Sequence, residues 1–161
     1  MQFCNNAIIQ FVLRMVLGVA LIYAGILKMI EPPQVFADSI AGFQLVPRGL
    51  INLVALSLPP FEILLGLALI LVGVLGRVQG GILSVRAKEA ALTATCLFAA
   101  FVFVLAQAML RGIEVDCGCF GGGSTWLQSL SSTAQAWFSL LRALALCLAA
   151  LWLWRRLTQL S

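Results

Sequence analysis

Residues 7–30, 50–76, 90–110 and 137–157 form four long apolar runs broken by few charged side chains. Each approaches or exceeds the roughly 20 residues a helix needs to cross about 30 Å of hydrocarbon. Nothing else in the chain constrains the fold as strongly. Hydrophobic residues make up 62% of the 161 and charged residues 10%, against roughly 45–50% and 25% in soluble domains. The bilayer is therefore the expected solvent. The expected fold is an all-α integral membrane protein, a four-transmembrane-helix bundle forming a single domain over residues 1–161, with no room for a second soluble domain. A cleaved signal peptide is not expected from the first run, because Arg14 interrupts it, no basic segment precedes it and no small-residue cleavage site follows.

The net charge of +4 comes from scattered Lys and Arg rather than from a basic run, and no nucleic-acid motif accompanies it. It is better read as membrane orientation. Arg77, Arg86 and Lys88 fall between the second and third runs, and Arg155 and Arg156 stand at the C-terminal end of the fourth. Under the positive-inside rule these segments and both termini are expected in the cytoplasm. The opposite side carries Lys28, Arg48 and Arg111, balanced by Glu31, Asp38, Glu114 and Asp116. The chain contains no His, which excludes a His-ligated haem and a His-containing zinc site. Redox chemistry would then rest on cysteine or on a bound organic cofactor.

Between the first two runs, Phe36, Ile40 and Phe43 recur at offsets of four and seven, placing three apolar side chains on one face of a short helix expected to lie along the membrane surface. Pro32 and Pro33 are expected to stop the preceding helix and Pro47 to end this one. The third connection, rich in Gly and Ser from Gly121 to Gly123 onward, is expected to be the most mobile part of the chain.

Charges and glycines share faces inside the runs. Arg14, Gly18, Leu21, Gly25 and Lys28 form a narrow stripe on the first helix, and Glu62, Gly66, Leu69, Gly73 and Gly76 repeat the spacing on the second. Glycine notches allow close backbone approach, so these helices are expected to pack along the two stripes. A carboxylate near mid-membrane costs roughly 2.5–3.5 kcal/mol, so Glu62 needs a cationic partner or a proton. Counting depth along the helices favours Arg142 as that partner, with Lys28 higher and Arg14 deeper. Such a pair could fix helix packing or line a proton or substrate path.

Five cysteines divide by position. Cys96 and Cys147 sit inside apolar runs, where thiols usually act as small fillers, and Cys4 is expected near the cytoplasmic surface. Cys117 and Cys119 occur in Asp116-Cys117-Gly118-Cys119-Phe120-Gly121, on the side expected to be oxidising, where disulfides persist. A ring closed across Gly118 contributes little chain-entropy stabilisation and is readily reduced. That favours exchange with another protein's thiols. Metal capture would need further ligands from Glu114, Asp116 or a partner, and a structural bridge is the remaining reading.

The chain resembles the DoxX-like membrane proteins, and within them the methylamine-utilisation protein E group. The likeness rests on Arg14 and Gly18 with Tyr23-Ala24-Gly25 and Lys28, on Phe36, Ile40, Phe43 and Pro47, on Leu58-Pro59-Pro60-Phe61-Glu62 with Gly66, and on the Cys117-Gly118-Cys119 segment. The resemblance implies a redox-associated protein linked to disulfide formation in a periplasmic dehydrogenase, working beside a thioredoxin-like protein. Carried over residue by residue, it implies Cys117 and Cys119 as the exchanging pair and Arg14, Lys28 and Glu62 as an intramembrane framework. A bacterial inner-membrane thiol–disulfide exchange protein is therefore the leading expectation, with Cys117 and Cys119 periplasmic. No cofactor is evident, although a quinone held between the helices could take up the electrons. A non-catalytic membrane anchor or assembly factor and a small-molecule or metal carrier using Glu62 and Arg142 are the alternatives.

Overall fold

A computed structural model describes residues 2–75, 82–111 and 132–159, with side chains placed for 8–75, 88–111 and 137–159. The order is α1 (Gln2–Ile30), α2 (Pro33–Gly42), α3 (Arg48–Leu75), α4 (Ile82–Leu110) and α5 (Ser132–Gln159). Among the described residues every element is helical, and four helices are long and apolar enough to span a membrane, over Ile8–Ile30, Arg48–Leu75, Lys88–Leu110 and Trp137–Gln159. The 23 residues of the first span reach about 34 Å at about 1.5 Å each, enough to cross the hydrocarbon layer. Leu53, Leu56, Leu64, Leu141 and Leu148 all stand more than 60% exposed on the outside of the bundle. In water that surface would be an association liability, whereas in lipid it is the solvated face.

α1 packs chiefly on α3, and α4 on α5. The α1–α3 contact runs along the two glycine stripes. A methyl group placed on Gly18 would sit 2.8 Å from the carbonyl oxygen of Gly66, one on Gly25 would sit 2.8 Å from that of Pro59, and one on Gly66 would sit 2.6 Å from that of Gly18. Only hydrogen fits at these three positions without moving backbone, and the pairing of 18 with 66 and 25 with 59 makes the helices antiparallel. Where all four helices meet, Leu17, Leu21, Leu65, Leu69, Ala91, Ala94, Phe98, Ala150, Leu153 and Leu157 form the main buried cluster. Alanines on α4 and α5 let those helices close on the leucines of α1 and α3.

α2 covers the other end of the bundle. Pro32 caps it and Pro33 opens it, a position where the missing N–H costs nothing. Phe36 and Ile40 are buried against Ala55 and the flanking Ile51, Val54 and Leu58 of α3, while Phe43 lies just beyond the helix as its cap. Pro47 does not end this helix. α2 stops at Gly42, the chain turns through Gln44 at φ 53°, and Pro47 instead precedes α3, its carbonyl accepting the Leu50 N–H at 2.8 Å. A proline lacks only an N–H, so at a helix start it serves as well as at a stop.

Candidate functional site

Lys28 and Glu62 meet in the interior on the side of the bundle capped by α2. Lys28 Nζ donates to Glu62 Oε1 at 2.6 Å and to Oε2 at 2.8 Å, with Lys28 3% and Glu62 0% exposed. Helix geometry brings them together. Gly25 faces Pro59, so Lys28 lies three residues to one side of that level and Glu62 three residues to the other, about 9 Å apart along the axis at about 1.5 Å per residue. Cα–Cβ bonds tilt toward a helix's N-terminus. In α1 that direction is into the bundle, and in antiparallel α3 it is toward α2. The two side chains lean toward one another, and their combined length spans the offset.

Partners of the cation come from α2, α3 and α4. The Lys28 ammonium stands 5.4 Å from the Phe36 ring centroid on α2 and 4.7 Å from that of Phe101 on α4. Desolvated cation–π contacts of this kind contribute on the order of 1–2 kcal/mol each. One lysine thus ties α1 to α2, α3 and α4. Depth counting favours Arg142 as the partner, but the ion pair is made by Lys28. Counting Cα levels ignores the opposed lean of the two side chains. Arg142 nevertheless lines the same small cavity, about 20 Å³, with Lys28, Glu62, Phe98, Phe101 and Ser139, and its guanidinium stands 5.9 Å from the Phe138 ring.

Arg14 is not part of this cluster. It lies fourteen residues before Lys28, about 21 Å along α1, with its stem beside Gly73. A second cavity of about 120 Å³ lies beneath α2, walled by Phe36, Ile40, Phe43, Leu45, Val46, Val54, Leu58, Phe101, Val104 and Leu105. Every one of these residues is apolar, so none of their side chains would hold the carbonyl oxygens of a quinone ring. Among the described residues no group of three or more His, Cys, Asp or Glu is placed to hold a metal ion. Cys96 is exposed and Cys147 half-buried, both as free thiols, and Cys147 packs against the main cluster. Cys117, Cys119 and Gly76 lie outside the described residues.

Sequence reasoning missed the aromatic enclosure of Lys28. Phe36 was visible as part of an apolar face, but nothing in the third run distinguishes Phe101 from its lipid-facing neighbours. The family model of methylamine utilisation protein MauE matches residues 6–155. The chain belongs to the MauE family. No curated protein and no solved structure matches it. The MauE match covers the first three spans and the fourth as far as Arg155, so the Lys28–Glu62 pair and the segment between α4 and α5 both fall inside the family's extent.

Proposed function

We propose that this MauE-family membrane protein carries out thiol–disulfide exchange at Cys117 and Cys119, with a thioredoxin-like protein or a client on the periplasmic side of the bacterial inner membrane, in support of methylamine utilisation. The observation that carries the reading is the pairing of two cysteines across one glycine in a chain whose family is named for that process. Topology supports it. α4 ends and α5 begins at the end of the bundle covered by α2, where Phe101, Leu105, Ser139 and Arg142 surround Lys28. The segment carrying both cysteines is joined to the bundle at that end. The excess of Lys and Arg at the opposite end, including Lys88, Arg155 and Arg156, supports a periplasmic assignment for the cysteine side.

In the exchange, a partner thiolate attacks one sulfur of the Cys117–Cys119 disulfide, breaking the S–S bond and forming a mixed disulfide while the other sulfur leaves as thiolate. In the reverse sense that thiolate attacks the mixed disulfide and releases the partner dithiol. When a second partner thiol resolves the complex instead, the partner is oxidised and Cys117 and Cys119 are left reduced, so electrons and protons balance between the two proteins. The Lys28–Glu62 pair and the glycine-packed α1–α3 contact hold the supporting bundle.

Single substitutions test the reading. Cys117→Ser or Cys119→Ser should leave the protein in the membrane, because insertion rests on four apolar spans, yet abolish disulfide transfer. Offered the partner in its disulfide form, at least one variant should open that bond with its remaining thiolate and accumulate a covalent partner complex on non-reducing gels. Full client oxidation by both variants would rule out exchange at this pair.

A further inference from the structure

At the other end of the bundle, Arg14 has no ion-pair partner among the described residues. Arg14 lies seven residues, about 10 Å, inside the apolar run that begins at Ala7. It is half-buried, and its Cβ and Cδ lie 3.5 Å from where a methyl on Gly73 would sit. The missing side chain at Gly73 is thus a cradle for the arginine stem. Gly73 is three residues from the end of the second apolar run at Gly76, and Arg14 leans toward the N-terminus of α1, which is the same membrane face.

Among the described residues no carboxylate meets it. Of the six acidic residues, Glu31 and Asp38 lie between α1 and α3 at the opposite end, and Glu114 and Asp116 lie between α4 and α5, whose joined ends are also there. Glu62 is engaged by Lys28, about 16 Å away along α3 from Gly73. Glu89, the remaining one, is exposed and makes no ion pair with Arg14. Lys88, Arg155 and Arg156 add positive charge at the same end, the last with its guanidinium 5.2 Å from the Trp152 ring. A guanidinium set inside the edge of the hydrocarbon, with further cations at its end of the bundle and no described carboxylate beside it, is matched by an anion from outside the chain. The anion that lies at this depth is the phosphate of a lipid, and a planar guanidinium suits phosphate oxygens through paired N–H donors.

We propose that Arg14, cradled by Gly73, binds the phosphate of an anionic phospholipid at the Lys88 and Arg156 end of the bundle. Neighbouring cations favour a headgroup with net negative charge over a zwitterionic one.

The test titrates the delipidated full chain in neutral detergent with phosphatidylglycerol, phosphatidylcholine or inorganic phosphate, reading lipid adducts by native mass spectrometry and Tm alongside. The expected result is a one-to-one phosphatidylglycerol adduct that raises Tm. Arg14→Gln should weaken its binding about fivefold, the loss expected for one basic residue near the surface. Arg14→Lys should keep most of it. Equal binding by Arg14→Gln and the parent overturns the proposal, as does equal binding of phosphatidylcholine. Equal protection by inorganic phosphate shows a free-anion site and overturns the lipid assignment. If Arg14→Gln does not fold, Arg14→Met decides, because it keeps an unbranched stem beside Gly73 and removes only the charge: it must weaken phosphatidylglycerol binding, and unchanged binding refutes the site.

Discussion

Replacing Glu62 by leucine should destabilise the bundle by about 3–5 kcal/mol, the loss typical when one member of a buried ion pair is removed. The structure explains why the loss falls at that size. Two hydrogen bonds of 2.6 and 2.8 Å disappear together, and the ammonium left behind is 3% exposed, so water cannot replace them. The rings of Phe36 and Phe101 still face the cation, but contacts worth on the order of 1–2 kcal/mol each do not substitute for a carboxylate. Glu62→Gln keeps one acceptor oxygen and should lose about 1.5–3 kcal/mol. The decisive variant is the double replacement Lys28→Met with Glu62→Leu, which removes both charges and fills the space with apolar atoms. It should unfold within about 1 kcal/mol of the parent, because a buried pair replaced as a unit is close to neutral. Unfolding in mixed micelles, followed by helix signal against denaturing detergent fraction, measures all four proteins of the cycle. A Glu62→Leu protein as stable as the parent, or a double variant that loses the sum of the two single losses, refutes the argument that this pair is coupled and desolvated.

Gly18→Leu, Gly25→Leu and Gly66→Leu should each cost at least 1–3 kcal/mol and loosen α1 from α3, because the added atoms meet backbone oxygens at under 3 Å; cysteine cross-linking between the two helices reads the loss. Val54→Leu or Val104→Leu, each adding a methylene to the cavity under α2, should stabilise by up to about 0.8 kcal/mol in the same unfolding assay. Impermeant thiol reagents applied to intact, reduced cells should label Cys117 and Cys119 and spare Cys4, and the reverse pattern would overturn the proposed orientation.

The four spans and the two glycine stripes are legible in the sequence because each follows from one strong constraint. Bilayer thickness sets the run length, and 3.6 residues per turn keeps Gly18, Gly25 and Lys28 on a common face. What depends on side-chain direction is less legible. The choice of Arg142 over Lys28 treated Glu62 as a point at its own Cα level, whereas two antiparallel helices tilt their facing side chains in opposite senses and so connect residues about 9 Å apart in depth. Pro47 shows a related ambiguity: the same missing N–H ends one helix or begins the next, and the turn through Gln44 decides between them. Phe101 carries no periodic or compositional mark at all; its role comes from where α4 sits against α3, beside the Lys28–Glu62 pair. The chemistry assigned to Cys117 and Cys119, by contrast, rests on their spacing and on the family.

Mass spectrometry of the cysteine-bearing peptide tests that chemistry most directly. The purified oxidised chain is mixed with a reduced thioredoxin-like protein, quenched in acid and alkylated. Exchange predicts that Cys117 and Cys119 pass together from a disulfide to two alkylated thiols while the partner gains a disulfide in equal amount, and that Cys4, Cys96 and Cys147 keep their labelling unchanged. A Cys117–Cys119 pair that stays in one state while the partner remains reduced would contradict the account.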